Sequence, residues 1–448
     1  MEVIFIKAFQ LLLSLAILVV LHELGHFIPA KIFKTRVEKF YLFFDPWFSL
    51  FKKKIGETVY GIGWLPLGGY VKISGMIDES MDKEQMSKPP QPWEFRSKPT
   101  WQRFIIMIGG VTVNLILGFL IYSMVLFVWG KNVVTVENLN SGFTVSESMK
   151  KIGFEDGDRI LKIDGNDLED QIQINNILVS RSVDVVEVIR SNESREIINI
   201  PDNIGLEIIS ADVTPFAPNV NIVIDSVLTD SPADFSDLKK GDIINKVNGT
   251  KILSFDEFEE LKKINSDYIE LEIIRNGNQF STVVPFESMD KLIGIIIKPD
   301  LKITTKKYGF FESIGEGYDE AYWKLKDYIY QFGYVFSKEG VSQLGGFGTI
   351  GNIFPAKWDW KRFWEMTAFI SIILGVMNLL PIPALDGGHL VFLTYEMVTG
   401  KKPNQRFLEI AQMVGIILLL GLFFYANIMD IFRFLWFKNH FEFKFDSF

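Results

Sequence analysis

Four stretches of the chain are almost free of polar positions, and each approaches the roughly 20 apolar residues a helix needs to cross a hydrocarbon layer. Residues 3–21 carry only Lys7, Gln10 and Ser14 as polar side chains, and 104–129 carry no charge. Residues 366–385 are uncharged up to Asp386, and 410–429 are uncharged between Glu409 and Asp430. This pattern predicts four transmembrane helices. A cleaved leader is not expected from the first stretch, because no A-x-A-like site follows it and its basic residues lie after the apolar run. Those residues also set the topology. Lys31, Lys34, Arg36, Lys39 and Lys52–Lys54 follow the first span, Lys98 and Arg103 precede the second, and Lys401, Lys402 and Arg406 separate the last two. The positive-inside rule places these loops in the cytoplasm and puts both termini and residues 131–360 outside. Arg433 and Lys438 run against that orientation but are fewer.

Between the second and third spans the pattern changes to short alternating strands with turn signals, and it repeats. "GDRILKIDG" (157–165) aligns with "GDIINKVNG" (241–249) at an offset of 84, and "VEVIRSN" (186–192) with "LEIIRNG" (271–277). Two blocks keeping nearly the same spacing predict two copies of one α+β module. Each copy resembles a PDZ domain, in which an extended peptide, often a C-terminus, adds as a strand beside a helix. Residues 306–340 mix Tyr, Trp and Phe with charges, a pattern expected of amphipathic helices at a membrane interface.

Composition narrows the class further. The chain is 448 residues long, 48% hydrophobic and 14% aromatic, with a net charge of −9. An acidic balance on an apolar chain fits membrane segments joined to a soluble part and gives no footing for a nucleic-acid partner. There is no cysteine, which excludes disulfides, thiolate nucleophiles and thiolate metal ligands, so any metal must be held by His, Asp or Glu.

The candidate chemistry lies inside the first apolar run. His22-Glu23-Leu24-Gly25-His26 is an H-E-x-x-H motif. On a helix the two imidazoles share a face about 6 Å apart, as two ligands of one ion would, with the glutamate placed to take a proton from a bound water. Three unliganded polar groups within a span would otherwise lack partners. Catalytic zinc usually takes a third protein ligand and keeps one position for water. The strongest candidate is Asp386 in "NLLPIPALDGGH" (378–389), where Pro381 and Pro383 break the helix and Gly387 and Gly388 permit close approach. His389 is expected to be an interfacial hydrogen-bonding residue.

HELGH together with Asn378, Pro381, Pro383, Leu385, Asp386, Gly387 and Gly388 resembles the site-2 protease family of intramembrane zinc metalloproteases. The resemblance runs over nearly the whole chain, including "GIGWLPLGGYVKISGM" (61–76) and "FRSKPTWQRFIIMIGGVTVN" (95–114). In the latter the family commonly has Gly-Pro where this chain has Gly110-Val111. It implies His22, His26 and Asp386 as Zn2+ ligands, Glu23 as general base and acid, and Asn378 as a holder of substrate backbone. It also implies that 61–73 form a membrane re-entrant β-hairpin, a reading that apolar Ile62, Trp64, Leu65 and Leu67 favour.

The expected fold is thus a polytopic α-helical membrane protein with four transmembrane helices, a re-entrant β-hairpin and two inserted PDZ-like domains. Residues 1–130 hold spans one and two, 131–215 and 216–302 the two PDZ-like domains, 303–360 the interfacial helices and 361–448 spans three and four. The expected activity is cleavage of single-span membrane proteins, of anti-sigma-factor or signal-peptide-remnant type, after trimming of their outer domain. The bilayer and peptide C-termini are further partners, and a bacterial inner membrane is the expected location. A non-catalytic PDZ scaffold is the alternative, against which the intact Glu23 and Asp386 motifs speak.

Overall fold

The computed structural model describes residues 2–66, 68–76, 88–211, 214–252, 255–262, 267–286, 292–336 and 345–442. Leu67 lies outside them, as do residues 337–340 at the end of the expected interfacial segment. The chain divides into a mostly helical unit (1–130 and 307–441) and a β-rich unit (131–306, with 442–448).

Among the described residues, four helices of the first unit are long and apolar enough to cross a membrane. They are α1 (Glu2–Ile32), α2 (Thr100–Trp129), α5 (Trp360–Leu379) and α7 (Gln405–Glu442). Between them come α3 (Phe310–Phe332), the short α4 (Phe347–Asn352) and α6 (Asp386–Thr399). The third span therefore starts at Trp360 and ends at Leu379, earlier at both ends than the apolar run suggests. Asp359 caps it by accepting the Arg362 amide, and Pro381 and Pro383, which lack the donor a helix needs, stop it.

Small residues let these helices meet closely. A Cβ at Gly25 would lie 2.5 Å from the Gly109 carbonyl oxygen, so α1 and α2 cross backbone to backbone. A buried ion pair, Arg103 to Glu396 at 2.5 Å with Thr100 donating to the same carboxylate at 3.0 Å, joins the start of α2 to α6. Helix α4 has its first amides covered by another helix: Asp430 of α7 accepts from Gly346 and Thr349, and Asn427 accepts from Phe347.

A four-stranded sheet belongs to this unit: β1 (Val37–Leu42), β2 (Phe44–Ile55), β3 (Thr58–Leu65) and β4 (Tyr70–Ile73), in the order β2-β3-β1-β4. Residues 61–73 are consequently not a hairpin of adjacent strands. Their halves, β3 and β4, flank β1, parallel to it on one side and antiparallel on the other. Strand β1 carries Val37 and Tyr41 into the interior, so it takes the centre and leaves β4 at the edge.

The β-rich unit has two hydrophobic cores, one within 134–216 and one within 222–293. Around the first lie β5 (Lys131–Val133), β6 (Phe143–Val145), β7 (Arg159–Ile163), β8 (Asn166–Asp167), β9 (Val185–Ile189), β10 (Arg195–Asn199) and β11 (Phe216–Pro218). Around the second lie β12 (Ile222–Val227), β13 (Ile243–Val247), β14 (Thr250–Lys251), β15 (Tyr268–Arg275), β16 (Asn278–Pro285) and β17 (Ile295–Pro299), and β18 (Thr304–Lys306) returns to β5. The sequence repeat is a structural repeat. Ile160 opposes Val188 and Ile163 opposes Val186, while Ile244 opposes Ile273 and Val247 opposes Leu271. Both ladders slip by one residue at the same point, around Leu161 and Asn245. Asp164-Gly165 and Asn248-Gly249 turn the chain with φ of 48° and 79°, and of 49° and 78°, a primed turn that these residue types adopt readily.

Candidate metal centre

Helix α1 brings His22 and His26 onto one face, one turn apart, with their rings 4.8 Å between centroids and nearly perpendicular. Their Nε2 atoms are 3.2 Å apart. Asp386, in the first turn of α6, aims Oδ2 at both, 3.3 Å from each. Three candidate ligand atoms from opposite ends of the sequence thus form a nearly equilateral triangle. Its edges match the separation of about 3.3 Å expected between ligands of a tetrahedral ion whose bonds are about 2.0 Å long.

Hydrogen bonding around the triangle decides whether it suits a cation. His26 Nδ1 lies 2.8 Å from the main-chain carbonyl of Ile106, which can only accept, so Nδ1 carries the proton and Nε2 of the neutral ring presents a lone pair to the centre. Asp386 Oδ2 is buried and receives no hydrogen bond. Lone pairs facing one another out of water are unfavourable unless a cation sits among them. The donor set, two imidazoles and a carboxylate, is one that zinc uses. Space is reserved as well, since a Cβ at Gly110 would overlap His26 Nε2 and crowd His22 Nε2. The residues fit a zinc ion. Val111, which follows, is buried in the helix packing and does not reach the centre.

The turn that delivers Asp386 is held under local strain. Ala384 has φ of 84°, a left-handed conformation that costs a residue with a Cβ about 1–2 kcal/mol. Its amide donates to Gln412 Oε1 of α7 at 3.1 Å. Added Cβ atoms at Gly387 and Gly388 would run into the carbonyls of Leu379, Leu380 and Ile382, so only glycine lets the chain fold back this tightly before α6 starts.

Glu23 shares a cavity of about 620 Å³ with the triangle. The neighbours of its carboxyl are the two imidazoles, Asp386 and the main chain of Val71. Edge strand β4 lines the same cavity through Tyr70–Ile73, and Gly69 leads into it against Val19 and Glu23. Asn378, at the end of α5, places Nδ2 3.4 Å from His22 Nε2. His389 also lines the cavity. All five residues singled out from the sequence, His22, Glu23, His26, Asn378 and Asp386, therefore converge here. Sequence reasoning missed three supports: the Ile106 carbonyl, Gln412, and Asn114, whose amide lies 3.1 Å from His22 Nδ1. A carbonyl leaves no trace in a sequence, but an asparagine in an uncharged span is a legible signal.

The model of peptidase family M50 matches residues 10–422. The chain is 30% identical over 450 residues to the regulator of sigma E protease of Haemophilus influenzae, covering 94% of this chain and 98% of that protein. It is 28% identical over 404 residues to a putative zinc metalloprotease of Borreliella burgdorferi, covering 87% and 90%. It is 27% identical over 448 residues to the regulator of sigma-E protease RseP of Escherichia coli, covering 94% and 97%.

Proposed function

The chain belongs to peptidase family M50 and is a zinc metalloprotease, and on that footing we propose that it cleaves single-span membrane proteins within the bilayer, near its cytoplasmic face. The observation that carries this reading is the triangle of His22 Nε2, His26 Nε2 and Asp386 Oδ2 beside Glu23, in a cavity formed by helices long enough to span a membrane.

His22, His26 and Asp386 would hold the zinc, and the ion when bound would polarise a carbonyl oxygen and lower the pKa of water. Glu23 takes the proton of the attacking water and passes it to the leaving amine. A transmembrane helix offers no free amide to a protease, so the substrate must unwind and needs replacement hydrogen bonds as it does. Strand β4 supports that step: among the described residues it is an edge of its sheet, and it lines the cavity beside Glu23. Unwound substrate adding to β4 would lie across the reacting centre, with the Asn378 amide available to its backbone. The sheet holding β4 is in this reading the re-entrant element.

The two repeated modules of the β-rich unit are read as PDZ-like domains that act outside the membrane as a size filter, admitting substrates whose outer domain has been removed. Relatives named regulators of sigma-E protease support an anti-sigma-factor type of substrate and an inner-membrane location with the modules extracytoplasmic. The test is cleavage of a truncated single-span substrate by detergent-purified protein, with zinc measured on the same sample. Cleavage by wild type and a large loss in Glu23→Gln are expected. Equal cleavage by the variant, or wild type without metal, would sink the mechanism.

A further inference from the structure

Asn114 is the most deeply buried polar side chain of α2, fully enclosed, about four helical turns from the start of the helix. Nothing in H-E-x-x-H or in the Asp386 motif calls for it. Its side-chain amide meets His22 Nδ1 through Nδ2 at 3.1 Å, while Oδ1 has no partner. That arrangement leaves two problems. A buried amide oxygen goes unsatisfied, and an amide donor faces the ring nitrogen that must carry a hydrogen if His22 is to present the Nε2 lone pair to Asp386 and His26. Turning the amide over in place gives the oxygen a partner and takes the donor away from that ring nitrogen. Oδ1 then accepts Nδ1–H, and His22 is fixed in the tautomer in which Nε2 points its lone pair at the centre.

We propose that Asn114 is a positioning residue for the metal centre, holding His22 in its Nε2-ligating tautomer through Oδ1. The inference rests on the zinc reading of His22, His26 and Asp386. It completes a symmetry in the site, for α2 then supplies the partner of each imidazole: the Ile106 carbonyl for His26 and the Asn114 carbonyl for His22. Ile106 and Asn114 are eight residues apart, so both face α1, and Gly109 and Gly110 between them let the helices approach closely enough for these bonds. The Asn114 main chain is itself fixed, because Ser371 of α5 donates to its carbonyl at 2.7 Å. Orienting partners of metal-bound histidines are typically worth about 10–100-fold in metal affinity.

The test measures zinc affinity rather than turnover, by competition between purified full-length protein and a fluorescent zinc chelator. Asn114→Leu keeps the branched shape and removes the acceptor; Asn114→Asp keeps an acceptor. The proposal expects zinc affinity to fall about 10–100-fold in Asn114→Leu and to stay at or above the wild-type value in Asn114→Asp, with similar thermal unfolding of the metal-free forms. Wild-type affinity in Asn114→Leu would overturn it. So would equal losses in both variants accompanied by lowered metal-free stability, which would mark Asn114 as a packing residue. His22→Ala separates the two levels of the argument. If that variant binds zinc as wild type does, the zinc site itself is misassigned; if it loses zinc while Asn114→Leu does not, only the role of Asn114 fails.

Discussion

Both units of this protein match buried carboxylates with guanidinium groups, Arg103 with Glu396 in the helical unit among them, but Asp386 is handled in the opposite way. In the β-rich unit, Asp242 is matched by a guanidinium: Arg275 donates Nε to Oδ1 and Nη2 to Oδ2, both at 2.7 Å, and the Lys239 amide adds a third bond at 2.8 Å. The repeat places Asp158 against Arg190 through a single bond, Nη1 to Oδ2 at 2.7 Å, and the Glu155 amide donates to the same oxygen at 2.8 Å. In the helical unit, Asp386 Oδ2 is matched only by two imidazole nitrogens and receives no hydrogen bond. The first arrangement cancels its charge with residues of the chain. The second leaves a negative charge and two lone pairs directed at one point. A buried ion pair of the first kind steadies a fold, whereas a convergent set of acceptors of the second kind needs an outside cation.

The largest effect should come from breaking the second arrangement. His26→Ala or Asp386→Ala should abolish stoichiometric zinc and lower cleavage by about 10³-fold or more, since metal activation of water is worth several kcal/mol. Metal analysis and a cleavage assay on one preparation check this. Glu23→Gln should lower cleavage by about 10²–10⁴-fold while zinc content stays at wild type, because the residue moves a proton and holds no metal. Next comes the opposite perturbation. Arg275→Leu strands the buried Asp242 carboxylate and should destabilise its module by about 3 kcal/mol, read as faster limited proteolysis within 216–302 of the intact protein. Zinc content should not change, and a parallel loss of zinc would dissolve the contrast between the two units. The smallest effect concerns Ala384. Replacing it by glycine relieves the left-handed strain at some entropic cost and should raise the thermal midpoint by the equivalent of about 0.5–1 kcal/mol. A lowered midpoint would show that the φ of 84° is not a source of strain.

Much of this contrast was legible along the chain. The spans could be read because lipid demands uninterrupted apolar length, and the repeat because turn chemistry at Asp164-Gly165 and Asn248-Gly249 must be kept each time the hairpin recurs. His22, Glu23 and His26 stood out because a polar residue in a span requires a reason, and Asp386 because a carboxylate beside two glycines follows a proline-broken helix end. What pairwise contact decides was not legible. The sheet order β2-β3-β1-β4 depends on which strand can afford burial on both sides, and the stretch 61–73, with its glycines and proline, reads locally like a hairpin. The third span's start at Trp360 was hidden by Lys361, Arg362 and Glu365, whose charges interrupt the apolar run but sit together in the first turns of α5. Asn114 and Gln412 each look like a lone polar residue in a membrane helix, and only the helix crossing shows which way they face.

Two imidazoles from α1 and a carboxylate from α6 are proposed to hold one zinc ion, and X-ray absorption at the zinc edge of purified wild type and His22→Ala can count them. Nitrogen and oxygen ligands at about 2.0–2.1 Å with two imidazoles are expected in the wild type, and loss of zinc or of one imidazole in the variant. Zinc bound with an unchanged imidazole count in His22→Ala would contradict the proposal.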